Sequence, residues 1–234
     1  MPATLVQQAV GRPADHDVDG DKPWRSAIVK QPTPDRLALG TTNLEGDEQA
    51  DLRHHGGPDK AVLAYAAASY RAWSPDYAFP WGAFGENWTV DGAAGGDGCA
   101  EDTVFLGDVY AVGSARVQVS QPRQPCWKLG RRWNIKGLPL EAQRTGRLGW
   151  YFRVLTVGQV QIGDTFELED RPMPEWSIER LNNLMHHDKG NRRDAGFLAE
   201  APLLAESWRA TFRKRAGGEA PGGDAARLEG SQRG

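Results

Sequence analysis

Residues 109–119 read Val109-Tyr110-Ala111-Val112-Gly113-Ser114-Ala115-Arg116-Val117-Gln118-Val119, and the alternation along this stretch decides the fold class. One face carries only apolar residues, namely Val109, Ala111, Ala115, Val117 and Val119. The other face carries Tyr110, Ser114, Arg116 and Gln118. A period of two is typical of a half-buried β-strand, so the stretch predicts one strand.

Short β-prone runs separated by turn signals lie on both sides of this strand. They are residues 27–29, 36–42, 150–157, 160–162 and 165–168. Many short strands at close spacing predict a barrel or a sandwich, so the expected fold class is mainly β. Residues 61–73 leave two alternatives open. Residues 61–65 could form a buried strand followed by a short helix over 67–73, or the whole alanine-rich run could form one helix.

The pattern changes from strands to helices after Asp170. Ser177 is a good N-cap, and apolar residues follow at helical spacing as Ile178, Leu181, Leu184 and Met185, and later as Leu204, Trp208 and Phe212. Residues 171–217 therefore predict a small helical appendage. Residues 218–234 contain few apolar side chains and predict a disordered tail. Residues 1–26 read as a polar lead-in, and the glycine-rich run 91–98 predicts a mobile surface loop.

Composition excludes several classes of protein. The net charge is −3 over 234 residues, so no strong field would draw the chain to nucleic acid or to an anionic membrane. No apolar run is long enough to span a bilayer, and the N-terminus has no secretory pattern, so we expect a cytoplasmic protein. The two cysteines, Cys99 and Cys126, form no CxxC pair, which argues against an iron–sulfur cluster or a zinc site. We expect both to be reduced.

Unusual residues concentrate in three segments, which are residues 46–62, 84–88 and 120–151. In the third segment Cys126 lies between Pro125 and Trp127, directly after a predicted strand. Arg123 and Lys128 flank it, and nearby cations favour the thiolate form of a cysteine. Cys126 is therefore the residue most suited to act as a nucleophile or as a ligand for a soft metal.

At these segments the chain resembles the MOSC domain family, and in particular its YiiM branch, which is linked to hydroxylaminopurine resistance. The matching segments are Asp51 with His55-Gly56-Gly57 and Asp59-Lys60-Ala61-Val62, then Gly85-Glu86-Asn87, then residues 121–129 and 146–164. The resemblance covers residues 22–170, which would be the barrel domain. The helical appendage resembles the three-helix module that often follows the barrel in this branch.

The resemblance implies a β-barrel of the pyruvate-kinase-insert type that binds the molybdenum cofactor, a molybdopterin. Cys126 would be the molybdenum ligand. The activity would be reduction of N-hydroxylated compounds, such as hydroxylaminopurines, to amines. Soft sulfur suits this metal, and a thiolate complements the two dithiolene sulfurs of the pterin.

Further site residues follow from the chemistry that this cofactor needs. Cys126 and His55 are the catalytic candidates, His55 as a proton donor because imidazole titrates near neutrality. Guanidinium and ammonium groups would hold the cofactor's phosphate, glycine backbone would approach it closely, and an amide would read the pterin ring. The cofactor-binding candidates are Arg53, Gly56, Gly57, Lys60, Asn87, Arg123, Lys128, Arg147 and Arg153.

The chain carries no flavin or dinucleotide fingerprint, so a separate electron-transfer protein with a flavin or an iron–sulfur centre is the expected partner. A small N-hydroxylated substrate is the other. Two different readings stay open: a carrier of the molybdenum cofactor or of sulfur without turnover, and a metal-free nucleotide- or purine-binding module. The oligomeric state also stays open, with a homodimer as one option. We expect the helical appendage to border the mouth of the pocket.

Overall fold

The computed structural model describes residues 3–16, 23–52, 55–92, 99–220 and 222–230. The strands are β1 (Ala3–Val10), β2 (Ala14–His16), β3 (Trp24–Ser26), β4 (Gln31–Pro32), β5 (Leu37–Leu39), β6 (Val62–Ala66), β7 (Trp88–Asp91), β8 (Val109–Val112), β9 (Ala115–Pro122), β10 (Trp150–Thr156), β11 (Gly158–Val160) and β12 (Thr165–Asp170). The helices are α1 (Ala67–Trp73), α2 (Trp127–Trp133), α3 (Leu138–Thr145), α4 (Ile178–His186), α5 (Arg192–Ala199), α6 (Glu206–Ala216) and α7 (Ala225–Glu229), with a 3-10 helix at Pro58–Lys60.

Seven of the described strands close into a barrel. Their order is β12-β8-β9-β10-β6-β7-β1, and pairing of β1 with β12 closes the ring. All neighbours in the ring are antiparallel except β6 and β7, which run parallel. The mainly β class that the sequence predicts is confirmed.

The stretch 109–119 forms a hairpin, so the prediction of one continuous strand was wrong. Val112 pairs with Ala115 across the turn Gly113-Ser114. Gly113 has a φ of 57°, and a Cβ there would lie 2.3 Å from the Gln159 carbonyl oxygen. The turn shifts the phase of the alternation, because residues 112 and 115 face the same side. The core-facing set is therefore Tyr110, Val112, Ala115, Val117 and Val119.

The first of the two alternatives for residues 61–73 is correct. Strand β6 is buried at all five positions, and α1 follows without a break. Alanine suits a strand here because β6 lies between β10 and β7, where side chains on both faces meet packed neighbours. By contrast, the strand expected at 27–29 is absent, and the extended residues are those of β3 just before it.

The sequence predicts that the barrel domain starts at residue 22, and this was wrong because β1 is already a strand of the barrel. It pairs with β7 and β12 although the sequence reads as a polar lead-in. Leu5 is fully buried, and Gln8 is also fully buried but donates a hydrogen bond to the Asp35 carbonyl. A buried amide with a partner is compatible with a core, which is why the polar composition was misleading.

The appendage consists of α4, α5 and α6. Ser177 caps α4 as predicted, since its Oγ accepts a hydrogen bond from the Arg180 backbone N–H at 3.1 Å. The module packs on the barrel, with the Ala205 N–H donating to the Ser120 carbonyl at 3.0 Å. Within the described residues, no helix combines the length and apolarity needed to cross a bilayer.

The prediction of a disordered tail was wrong for residues 222–230. In this segment α7 packs against α2. Arg227 of α7 donates to the Pro125 carbonyl, so a polar segment is held by hydrogen bonds rather than by apolar burial. The predicted mobile loop over 91–98 falls mainly on residues 93–98, which lie outside the described residues.

Candidate functional site

A cavity at one end of the barrel gathers most of the residues that the sequence singles out. It is lined by Ser26, Ala27, Ile28, Lys30, Asp47, Glu48, Gln49, Ala50, Asp51, His55, Gly56, Lys60, Leu63, Phe84, Gly85, Asn87, Arg123, Cys126, Lys128 and Tyr151. Seven of the proposed site residues are in this set. Its volume is about 90 Å³, below the roughly 300–1,000 Å³ of common ligand pockets. A group as large as a pterin must therefore extend beyond the enclosed part.

Cys126 lies in the connection from β9 to α2. Its backbone is extended, with φ −129° and ψ 164°, directly before the first residue of α2. The thiol is free and half-buried. The connection is anchored at its start, where the Arg123 N–H donates to the Gly149 carbonyl at 3.0 Å. A Cβ at Gly149 would lie 2.2 Å from the Ala64 carbonyl oxygen, so this close approach requires glycine.

Arg123 is buried, with 5% of its surface exposed, and it lines the same cavity as Cys126. Its Nη1 is buried and has no hydrogen-bond partner within the described part of the chain. A buried guanidinium nitrogen without an acceptor is costly for a folded protein, so its retention needs a reason. An anionic ligand in the cavity would supply the missing acceptor.

Two more cations reach the cavity from separate elements. Lys60 comes from the 3-10 helix, and burial lowers the pKa of its ammonium group, against the opposing charges of Asp59 and Asp51. Lys128 comes from α2 and donates to the Arg25 carbonyl at 3.0 Å. These side chains lie in the lining with Arg123, which gives the cavity donors for an anion.

His55 also lines the cavity, but its protonation differs from the expectation. Burial lowers the pKa of the imidazole to about 4, and the charges of Lys60, Lys128 and Arg123 lower it further than Asp51 raises it. The ring is therefore neutral near pH 7. It offers an N–H for hydrogen bonding rather than the imidazolium proton that the sequence suggested.

The glycine pair and Asn87 have partly structural roles. Gly56 lines the cavity at a φ of 84°, and a Cβ there would lie 2.7 Å from Gln49 Oε1. Gly57 is outside the lining, and its carbonyl accepts from the Lys60 N–H at 2.9 Å. The Asn87 amide accepts from the Leu63 N–H at 3.1 Å and donates to the Ala9 carbonyl at 3.2 Å. Asn87 thus ties strands together at the cavity wall.

Two of the predicted cofactor-binding arginines lie elsewhere. Arg147 donates to the Ala72 carbonyl at 3.0 Å and stacks over the Trp73 ring. Arg153 pairs with Asp59 at 2.9 Å and donates to the Leu203 carbonyl. Neither residue belongs to the lining of the cavity. Arg53, a third candidate, lies outside the described residues.

Sequence reasoning missed several lining residues. Lys30 and Asp47 form a buried ion pair, and Asp47 also accepts from the Gly11 N–H at 2.8 Å. Burial raises the pKa of the Tyr151 phenol, so its hydroxyl stays protonated. Asp47 and Tyr151 stand inside the segments where unusual residues concentrate, 46–62 and 120–151, and that position was an available signal. The sequence around Lys30 carries no such signal, because only the fold brings this residue to the cavity.

Comparisons with known proteins identify the two parts of the chain. Residues 51–167 match the MOSC domain, and residues 176–215 match the YiiM-like 3-alpha helix domain. The chain belongs to the YiiM branch of the MOSC domain family. MOSC domains are associated as a family with binding of the molybdenum cofactor, so a function associated with that cofactor follows for this MOSC protein. The expected three-helix module is confirmed.

Three relatives illustrate the similarity. The uncharacterized protein YflK of Bacillus subtilis is 41% identical over 214 residues, which are 91% of this MOSC protein and 94% of YflK. The crystal structure of YiiM from Geobacillus stearothermophilus has a TM-score of 0.75 at 36% identity, covering 92% and 99% of the two chains. A Gibberella moniliformis protein named "Reductase" is 35% identical over 191 residues, 79% of this chain and 32% of that protein.

The residues of the cavity fit the molybdenum cofactor in their chemistry. A free thiol lines the same cavity as Arg123, Lys60 and Lys128, and the Arg123 Nη1 lacks an acceptor among the described residues, which an anionic ligand would supply. Soft metals select thiolate, and phosphate selects guanidinium and ammonium groups. Cys126 would hold the metal, and the three cations would hold the phosphate.

Proposed function

We propose that this MOSC protein is a molybdenum-cofactor-dependent reductase of N-hydroxylated compounds, such as hydroxylaminopurines, with Cys126 as the molybdenum ligand. The observation that carries the proposal is the pairing, in one cavity, of the half-buried Cys126 thiol with the buried, unpartnered Nη1 of Arg123. A structural cysteine would need no such neighbour, whereas a cofactor with a thiolate-bound metal and a phosphate needs both.

The reaction converts R–NHOH, two electrons and two protons into R–NH2 and water. When bound, the cofactor would supply the two-electron couple for this reduction. The N–O bond breaks, the nitrogen is reduced, and the oxygen leaves as water. A separate flavin or iron–sulfur protein supplies the electrons, because the chain carries no fingerprint for either centre.

The protein's own groups bind, orient and donate. Arg123, Lys60 and Lys128 neutralise the anionic part of the cofactor, and the partial burial of the cavity strengthens these contacts. The neutral His55 imidazole and the protonated Tyr151 hydroxyl line the same space, so both can donate hydrogen bonds to the substrate oxygen. Protons for water formation reach the N–O oxygen through these donors.

The decisive experiment compares three proteins expressed in a host that makes the cofactor: wild type, Cys126→Ser and Cys99→Ala. Mass spectrometry measures molybdenum, and fluorescence measures released pterin. We expect near-stoichiometric molybdenum in wild type and Cys99→Ala, and its loss in Cys126→Ser. Cys99 is a matched control because it is a free thiol buried in the barrel core, away from the cavity. Absence of molybdenum from all three contradicts the proposal.

Turnover is tested separately with reduced viologen as an artificial donor and a hydroxylaminopurine as substrate. Formation of the aminopurine supports a reductase, whereas metal-loaded protein without turnover supports a carrier of cofactor or sulfur. Purine binding without metal, unchanged by Cys126→Ala, would instead support a binding module. With a nicotinamide donor and no partner protein, we expect no activity.

A further inference from the structure

The C-terminal helix α7 contacts the chain on both sides of Cys126. On one side, Arg227 Nη1 donates to the carbonyl of Pro125, the residue before the cysteine, at 2.5 Å. On the other side, Gly230 lies over the ring of Trp127, the residue after it, where a Cβ on Gly230 would be 3.3 Å from Trp127 Cγ. The segment that the sequence predicts to be disordered is therefore packed on the connection that holds the thiol.

A polar network fixes Arg227 in this place. Its Nη2 donates to Asp224 Oδ1 at 2.9 Å and to Gln143 Oε1 at 2.5 Å. Asp224 in turn accepts from Lys189 Nζ at 3.0 Å and from Gln143 Nε2 at 3.3 Å. The network thus joins α7 to α3 and to the segment between α4 and α5. Partial burial disfavours the ionised carboxyl, but the bonds from Lys189 and Arg227 outweigh it and lower the pKa of Asp224 to about 2.

Backbone hydrogen bonds anchor the connection that carries Cys126 at both of its ends. The thiol forms no disulfide, and the connection is anchored upstream by the Arg123 N–H, which donates to the Gly149 carbonyl at 3.0 Å. Downstream, the Cys126 carbonyl accepts from the Leu129 N–H at 3.0 Å. Between these two backbone hydrogen bonds, Arg227 donates a hydrogen bond to the Pro125 carbonyl. Ligand sites depend on such surrounding contacts to orient the ligand atom.

We propose that Arg227 is a positioning residue that sets the place and mobility of the Cys126 thiol, with Asp224 holding the guanidinium. It does not touch the cavity, and it acts through the Pro125 carbonyl. The inference deepens the proposed function, since the geometry of Cys126 serves a metal only if Cys126 is its ligand. The thiol geometry itself can be measured without metal.

The test is the rate at which iodoacetamide alkylates Cys126 in full-length, metal-free protein, followed by mass spectrometry across the pH range of thiol ionisation. Cys99 serves as an internal control, because it is buried and burial raises the pKa of its thiol. The variants are Arg227→Ala, Arg227→Lys and Asp224→Asn. Arg213→Ala is the matched control, since Arg213 is an exposed arginine that pairs with Glu206 on α6, away from Cys126.

We expect Arg227→Ala to accelerate alkylation about fivefold or more, because it removes a hydrogen bond of ordinary strength from the connection. Arg227→Lys should restore part of the wild-type rate, and Asp224→Asn should give an intermediate acceleration. Arg213→Ala should match wild type, and Cys99 should stay unmodified throughout. If Arg227→Ala lowers the folded fraction, Asp224→Asn keeps the test valid, because it retains the arginine and removes only the negative charge that Arg227 shares with Lys189.

Two outcomes overturn the proposal. One is an unchanged Cys126 rate in both Arg227→Ala and Asp224→Asn with the fold intact by circular dichroism. The other is simultaneous modification of Cys99, which would mean that the variants act through global unfolding. If wild-type protein binds no molybdenum, the proposed function is contradicted, but the alkylation rates are unaffected. The two failures can therefore be told apart.

Discussion

At His55, burial and nearby cations decide a property that the residue type alone predicts wrongly. An exposed imidazole titrates near 6.5, whereas the pKa of His55 is lowered to about 4. The neutral ring is compatible with the proposed site, in which His55 donates a hydrogen bond beside a bound anion. Binding of an anionic ligand beside it would reverse part of the shift, because a negative charge favours imidazolium.

The lowered pKa of His55 can be measured directly. In metal-free protein the His55 ring protons should titrate near pH 4 by NMR, with His55→Gln used to assign the signal. Addition of inorganic phosphate should move the midpoint upward. A midpoint near 6.5 in the metal-free protein would show that the ring is solvated and that the cations of the cavity do not act on it.

The same shift makes stability depend on pH. Between pH 4 and 6.5 the unfolded chain binds a proton at His55 that the folded chain does not, so stability rises with pH through this window. The free energy of unfolding decreases as the pH falls below 6.5, by at most about 1.4 kcal/mol per pH unit. His186, whose pKa is lowered to about 3 mainly by burial, adds an effect of the same sign. Urea unfolding of His55→Gln should show a weaker pH dependence than wild type.

Among the elements, β1 shows how a strand of unremarkable composition can close a barrel. Its residues pair with β7 on one side and with β12 on the other. The Leu5 N–H donates to the Asp164 carbonyl at 2.9 Å, and the Gly163 N–H donates to the Leu5 carbonyl at 2.8 Å. Without β1 the sheet would keep two open edges, which barrels avoid by closure.

Leu5→Ala should therefore lower the free energy of unfolding by about 3 kcal/mol, because it leaves a cavity where a fully buried side chain stood. Leu140→Ala is the matched control, since this leucine is 57% exposed, and it should change stability by less than about 0.5 kcal/mol. Urea denaturation measures both. Equal, small effects in the two variants would mean that β1 is not part of the cooperative core.

At the scale of the whole molecule, the barrel and the helical module share one hydrophobic core. The same cluster contains Leu5, Trp150 and Phe152 from the barrel and Trp208 and Phe212 from the module. The module also bonds to barrel backbone, as where the Ile178 N–H donates to the Val104 carbonyl at 2.9 Å. The barrel and the module are thus physically one unit, although they match two sequence families.

We expect a single thermal transition in calorimetry, with equal calorimetric and van't Hoff enthalpies. Trp208→Ala should lower the midpoint of that transition without splitting it, because Trp208 contributes to the shared core. Two separated transitions, one for the barrel and one for the module, would contradict this. The wild-type scan itself is the reference for the variant.

The module does not have the place that the sequence suggested. We expected it to border the pocket mouth, but the lining of the Cys126 cavity ends at Tyr151 in the sequence. The module instead reaches α7, because Lys189 bonds to Asp224, which in turn pairs with Arg227. Long-range packing, which leaves no local pattern, decides this arrangement.

The sequence by itself determined the mainly β class, the three-helix module and the family, and it singled out Cys126 as the candidate metal ligand. These follow from local patterns: alternation, a cap such as Ser177, and the segments around Cys126. Only the tertiary structure decided that Lys30 lines the cavity, that Arg147 and Arg153 do not, and that α7 bonds to the Cys126 connection. The physical reason is that periodicity and motifs report neighbours along the chain, whereas burial, pKa shifts and hydrogen-bond partners depend on segments that only folding brings together.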